Sequence, residues 1–417
     1  MLKEITEKDK LLYVFLFILL FNAFVFLFQS PFNYDKDQMY NEVQRFHNSN
    51  HSLSNLWNSP NTQHPPLYFY LASFFYSHDN PRTTQIFSFI CYILTLVLFF
   101  KLLKKFNFLS NKERMGLLLF FGVLPQMVIQ SKFISNDTLS ILLGGMLFYL
   151  VWQYLSNPTT KRGILLAIVT ALGLLTKATF VMFLPGVLFI LISTKITKIK
   201  FSKKHLLGIV LLFLILITLG STKYFINAKF HDNPFTTSIE YYKNFEPQYK
   251  LGLPESSSFS SDIQIYKKMV IKLYSDFWAP EFISDIKIVH DLRKLILILS
   301  LLPTILIIIG GIRVIKNIRK IESSLERYEI FTLITVILVL GGVFFASAWS
   351  NVSTYLQSRY LLPTTFGMLI LMKRGLKCLN TTNRIPYNKI LESSIFGLSL
   401  IYLIYFLIVI ATTIISN

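Results

Sequence analysis

The sequence predicts an all-α integral membrane protein of about eleven transmembrane helices, and three observations predict it. Of 417 residues, 53% are hydrophobic and only 15% charged, with a mean hydropathy of +0.51. A soluble chain carries roughly a quarter charged residues. The apolar residues fall in long uninterrupted runs, and Lys and Arg punctuate those runs rather than clustering on one face. This excludes a soluble enzyme. It also makes the net charge of +19 a signal of membrane topology rather than of nucleic-acid binding, which needs a basic surface. Cys91 and Cys378 lie in or beside apolar stretches and provide neither a disulfide framework nor a four-ligand zinc site.

Each element follows in order. The first run, 11–29, has 19 residues behind Lys3, Lys8 and Lys10, enough to cross a hydrocarbon core of about 30 Å. Gln29-Ser30-Pro31-Phe32 offers no small-residue cleavage site, so the run reads as a retained helix rather than a removed signal peptide. The stretch 65–76 is 12 residues long and would span about 18 Å, so it is expected to lie in the interface. Further crossings are expected at 83–103, 115–133, 138–155, 163–175, 178–194, 206–222, 292–312, 330–349, 360–372 and 394–413. A single helix over 163–194 would measure about 48 Å with Lys177 near its middle, so two short helices with Lys177 at their outer turn are expected instead.

The bias of basic residues tests this arrangement, because one wrong crossing inverts everything after it. With the N-terminus inside, the inner segments hold 25 Lys and Arg and the short outer ones six. The expectation is therefore one multi-pass domain, 1–417, in the cell (inner or plasma) membrane, with a cytoplasmic N-terminus. Two large external segments result, 30–82 with its interfacial helix and 223–291. Both hold Pro, Asn, Ser and aromatics without a repeat.

Ionisable groups at membrane depth are costly and usually functional, so the polar residues on the external side are the candidates. Asp35 and Asp37 stand two residues apart just past the first helix. There a carboxylate could act as general base, hold a metal, or simply be solvated at a helix end. His64-Pro65-Pro66-Leu67-Tyr68 opens the interfacial helix, where proline suits the first turn. Asp137, in Asn136-Asp137-Thr138-Leu139, is either functional or a cap on the next helix, with Lys132 one turn earlier. Lys177 is expected to be recessed between short apolar helices, although a lysine can also snorkel. Arg359, ahead of Tyr360, starts a crossing from outside and fits bidentate phosphate binding as well as an ordinary helix end. Trp278, in Asp276-Phe277-Trp278-Ala279-Pro280-Glu281, reads as an interfacial anchor.

Alone, each signal is weak; together they fall on one face. External carboxylates with membrane-level cations suit transfer from a lipid-linked phosphate: the cations hold the phosphate and a carboxylate activates the acceptor. At these residues the sequence resembles the polytopic glycosyltransferases of the C superfamily (GT-C), which includes the protein O-mannosyltransferases and the lipid A aminoarabinose transferases. The matching stretches are Asp35-Lys36-Asp37, His64-Pro65-Pro66-Leu67-Tyr68, Ser135-Asn136-Asp137-Thr138-Leu139, Leu175-Thr176-Lys177 and Ser358-Arg359-Tyr360-Leu361-Leu362-Pro363. Their order and spacing match along most of the chain. The family's usual first motif is an adjacent Asp-Glu pair, whereas here Lys36 separates two aspartates.

The resemblance implies inverting transfer of a sugar from a polyprenyl-phosphate donor to a glycan, lipid or protein acceptor on the extracytoplasmic side, with the bilayer as solvent and no nucleic acid involved. It implies a base at Asp35 or Asp37, with Asp35 favoured by the aromatic before it, and an assisting role for Asp137. His64, Lys132, Lys177, Arg359 and Tyr360 would bind substrate. A divalent metal is left open, since some relatives use one and others do not. No P-loop or dinucleotide fingerprint occurs, consistent with a lipid-linked donor.

Three other readings stand beside this one. A transporter or flippase would also bury charges among helices, but no second copy of the 30–140 pattern occurs. A polymerase or ligase of lipid-linked glycans would use the large late loop 223–291, although its essential groups are more often basic. A non-enzymatic membrane scaffold would keep its function after both aspartates were lost.

Overall fold

The computed structural model describes residues 7–28, 36–52, 65–130, 132–193, 213–214, 217–218, 220–222, 224–225, 229, 259–280, 287–318, 323–350, 357–380 and 387–416. Every regular element among the described residues is helical. Helix α1 (Glu7–Phe28) leads to α2 (Lys36–Asn48) and then to the short α3 (Leu67–Ala72), which runs on as the 3-10 turn Ser73–Phe75. The stretch 65–76 is thus too short and too broken to cross.

Caps in the sequence set the next helix starts. Asn80 accepts the backbone N–H of Arg82 at 3.1 Å ahead of α4 (Pro81–Lys105), where Pro81 occupies a position that needs no donor. Ser110 and Glu113 form a reciprocal capping box for α5 (Asn111–Val123), satisfying two backbone donors at once. The apolar run 115–133 does not continue as one helix. Leu124 is extended (φ −57°, ψ 120°) because Pro125 follows it, and a second short helix, α6 (Pro125–Gln130), begins there. Ser135 caps α7 (Asn136–Ser156), and Thr159 caps α8 (Thr160–Leu174).

After α8 the chain reverses into the 3-10 segment Ala178–Phe183 and α9 (Leu184–Ser193), so 163–194 does divide into two helices around Lys177. Beyond 223–258, α10 (Phe259–Trp278), α11 (Lys287–Leu299), α12 (Leu301–Lys316) and α13 (Ser324–Ser350) follow. A 3-10 segment, Ser358–Thr364, precedes α14 (Thr365–Asn380), and α15 (Tyr387–Ser416) ends the described chain.

Among the described residues, six helices are long and apolar enough to cross a membrane: Lys10–Phe28, Pro81–Lys105, Asn136–Ser156, Ile288–Lys316, Ser324–Phe345 and Ser394–Ala411. The other expected crossings fall on shorter helices or, for 206–222, largely outside the described residues. Their outer faces carry large apolar side chains, among them Leu20, Ile298 and Phe345, each more than 60% exposed. Water would not tolerate such a surface and lipid does, so the chain is a multi-pass membrane protein.

Helix packing positions the site. α7 lies between α4 and α8 and meets the segment Ser358–Thr364 near its own start. That approach depends on glycine: a Cβ on Gly144 would sit 2.6 Å from the Pro363 carbonyl oxygen, and one on Gly145 2.8 Å from the Phe366 ring. On the far side, α12 and α14 are pressed together at Gly310 and Gly375, where added Cβ atoms would collide with the backbone carbonyls of Leu371 and Leu306. Trp278 is not an interfacial anchor. It is 5% exposed and packs 6.0 Å from Phe120, because α10 folds back onto the bundle and buries the ring.

Candidate active site

Three chain reversals at one end of the bundle bring ionisable groups together. The first is the start of α7. Ser135 is extended (φ −155°, ψ 143°) and its Oγ both accepts the Asp137 backbone N–H at 3.2 Å and donates to Asp137 Oδ2 at 2.8 Å. Ser135 rather than Asp137 is therefore the cap. Asp137 lies in the first helical turn, where its negative charge faces the positive end of the helix.

The second reversal carries Lys177, which is extended (φ −158°, ψ 138°) between α8 and Ala178–Phe183. Its tightness rests on Gly173, where any Cβ would collide with the Phe180 ring. The third is Ser358–Thr364, which presents Arg359 and Tyr360.

Lys177 Nζ pairs with Asp137 Oδ1, and Arg359 Nε lies 3.5 Å from Asp137 Oδ2. Lys177 Nζ stands 4.3 Å from the centre of the Tyr360 ring, and the Arg359 guanidinium carbon 5.8 Å from it. Asp137 is 2% exposed, and the Lys177 and Arg359 side chains are 11% and 12% exposed. Among the described residues, two cations face one carboxylate in a poorly solvated place. An ammonium has three donors and a guanidinium five, so pairing with Asp137 uses part of each cation's capacity. Cations held in such a place suit anionic oxygens such as those of a phosphate ester.

Short bonds bind these segments to one another and to α3. The Leu67 backbone N–H donates to the Leu175 carbonyl at 2.9 Å, and Asn136 Nδ2 donates to the Thr176 carbonyl at 3.3 Å. Tyr68 is fully buried; its hydroxyl oxygen accepts the Ser135 backbone N–H at 3.0 Å and lies 2.8 Å from Ser88 Oγ. Two adjacent residues of α3 thus grip the chain two positions before Lys177 and two positions before Asp137. α2 packs on α3 in turn, with Tyr40 donating to the Ser77 carbonyl at 2.6 Å. Burial, reinforced by neighbouring Tyr76, pushes the Tyr40 phenol up to about 12, so it remains a neutral donor.

Of the residues expected at the site, Asp137, Lys177, Arg359 and Tyr360 converge. Lys132 does not join them: it is fully buried, and its Nζ donates to Asn22 Oδ1 at 2.9 Å and to the Val128 carbonyl at 2.7 Å, 5.2 Å above the centre of the Tyr92 ring. Asp37 falls in the first turn of α2, and its carboxylate lies outside the described residues, as do Asp35 and His64. Among the described residues, no group of three or more His, Cys, Asp or Glu is placed to hold a metal ion, and both Asp137 oxygens already face cations.

Sequence reasoning missed the supporting residues. Ser135, two positions before a first-turn carboxylate, is a readable cap signature. Asn22, a lone amide within an apolar run, marks a buried partner, and it is the one Lys132 finds. Nothing in the sequence signals that the Tyr68 hydroxyl meets Ser135, because that contact spans 67 residues.

Residues 63–220, which carry the Tyr68, Asp137 and Lys177 stretches, match the model of the dolichyl-phosphate-mannose-protein mannosyltransferase family. Among solved structures, the chain is similar to that of ArnT from Cupriavidus metallidurans in the apo state. Sequence identity is 12%, the match covers 89% of this chain and 78% of that one, and the TM-score is 0.41. No curated protein matches the chain.

Proposed function

We propose that this chain is a membrane glycosyltransferase of the GT-C superfamily that moves a sugar from a polyprenyl-phosphate donor to an acceptor on the extracytoplasmic side of the cell membrane, with inversion. One observation carries the reading: Asp137, Lys177 and Arg359 meet at one end of an apolar bundle, where two cations are held in a poorly solvated place. Such cations suit the anionic oxygens of a lipid-linked phosphodiester before transfer. The same cations are well suited to the charge that grows on the leaving phosphate, because their alignment is fixed before reaction.

Asp35 or Asp37 takes the proton of the acceptor as its oxygen or nitrogen attacks the anomeric carbon. The bond from that carbon to the phosphate oxygen breaks, and polyprenyl phosphate leaves with its electron pair toward Lys177 and Arg359. His64 lies on the chain between the carboxylates and the interfacial helix and contributes to the acceptor side. Asp137 holds the two cations apart from each other and in register with the donor. Basic residues concentrated in the inner segments support the extracytoplasmic placement.

The test is release of free polyprenyl phosphate from a panel of polyprenyl-phosphate sugars by purified protein in lipid. Wild type is expected to release it. Either Asp35→Asn or Asp37→Asn is expected to lower the rate by about 10²–10⁴-fold, the usual worth of a general base. Release from no donor by folded wild type would overturn the transferase reading and favour a flippase or glycan polymerase.

A further inference from the structure

Among the described residues, three buried polar atoms on α6 and on the segment Ser358–Thr364 have no hydrogen-bond partner: Gln126 Oε1, Gln130 Oε1 and Ser358 Oγ. Gln126 is 6% exposed, Gln130 9% and Ser358 fully buried. Both glutamines belong to α6, four residues apart, so they share one face of the helix. α6 packs against Ser358–Thr364, whose second residue is Arg359. The orphaned atoms therefore lie on two touching elements, one of which delivers the guanidinium that pairs with Asp137.

Buried polar groups are ordinarily satisfied, and each exception costs about 1–3 kcal/mol, so a cluster of three calls for an explanation. α6 begins at Pro125, which interrupts the helix before it, and its two glutamines place carboxamides on a buried face. A carboxamide and a hydroxyl both donate and accept, and neither carries charge. That chemistry does not select a phosphate, a metal or a lipid tail. It selects neutral hydroxyl groups.

From this we infer that Gln126, Gln130 and Ser358 form the subsite that binds the hydroxyls of the donor sugar, adjoining the phosphate held by Lys177 and Arg359. The inference rests on the transferase reading and adds to it the residues that discriminate among sugars. A site built to hydrogen-bond hydroxyls rejects an analogue lacking them far more strongly than an apolar pocket rejects a methylene, because its own polar groups are then left unpaired.

The experiment compares Gln126→Met, Gln130→Met and Ser358→Ala with wild type in two measurements: thermal midpoint of the free protein, and affinity for a polyprenyl-phosphate sugar against bare polyprenyl phosphate. Removing an orphaned buried acceptor relieves its penalty, so the free variants are expected to melt at or above the wild-type midpoint. Their affinity for the sugar-bearing lipid is expected to fall by about tenfold or more, while that for bare polyprenyl phosphate stays unchanged. A lower midpoint would mean the groups are already paired within the protein and would overturn the inference. So would equal loss, or no loss, for the two lipids. Wild type that binds bare polyprenyl phosphate and sugar-bearing lipid alike, and transfers from neither, would instead refute the transferase reading itself.

Discussion

At the scale of single residues, the site is a buried charge balance whose members are positioned by neutral groups. Asp137 alone would be costly so far from water, and so would Lys177; together with Arg359 they offset one another. What holds Asp137 in register is Ser135, and what holds Ser135 is the Tyr68 hydroxyl. Tyr68→Phe keeps the ring and its packing but leaves the Ser135 N–H without an acceptor, a loss of about 1–3 kcal/mol. Because the phenol touches no reacting atom, kcat is expected to fall about tenfold with donor KM little changed, as steady-state release of polyprenyl phosphate would record. If Tyr68 acts through Ser135, the double variant Tyr68→Phe with Ser135→Ala loses no more than the worse single one. Multiplied losses would mean two independent roles.

Elements decide whether these residues can meet. The Arg359 segment reaches α7 only because positions 144 and 145 lack side chains. Gly144→Ala places a Cβ 2.6 Å from a backbone oxygen that cannot rotate away, so the 3-10 segment is pushed off Asp137. The expected outcome is a lower thermal midpoint, corresponding to about 1–3 kcal/mol, together with weaker binding of bare polyprenyl phosphate. Gly116→Ala is the control. It lies in α5 with nothing within 4 Å of an added Cβ, and alanine is the better helix former by about 1 kcal/mol, so its midpoint should hold or rise. Equal midpoints for the two variants would show that the contact of α7 with Ser358–Thr364 is looser than 2.6 Å implies.

Over the whole molecule, much of the architecture was legible because it follows from local signals: apolar runs, Lys and Arg between them, and caps such as Asn80 and Ser110. The hairpin around Lys177 could be read for the same reason, since one lysine cannot sit mid-membrane in a single long helix. The break at Leu124 was equally visible in Pro125, but hydropathy outweighed it. Pairings were not legible. Arg359 meets Asp137 across more than 200 residues, and Lys132 turns to Asn22 instead of the site, because three-dimensional proximity leaves no trace in spacing.

The end of the bundle opposite the site carries charge pairs of its own, Glu113 with Lys373 and Glu329 with Arg374, the latter at 3.4 Å. Ser324 bonding the Leu155 carbonyl, at the far end of α7, fixes that placement. Arg374 stands ten residues along from Thr364, about 15 Å of helix from the segment that presents Arg359. These pairs therefore brace α14 against α5 and α13, away from the Asp137 cluster. Glu329→Gln leaves the Arg374 charge buried without its carboxylate, which costs about 3–5 kcal/mol, so the thermal midpoint is expected to drop while transfer per folded molecule stays near wild type. Adding Arg374→Met removes the stranded charge and should restore most of the midpoint, because a buried pair exchanged for apolar groups is often neutral. Loss of transfer in the rescued double variant would instead mean that this distant end is coupled to the site.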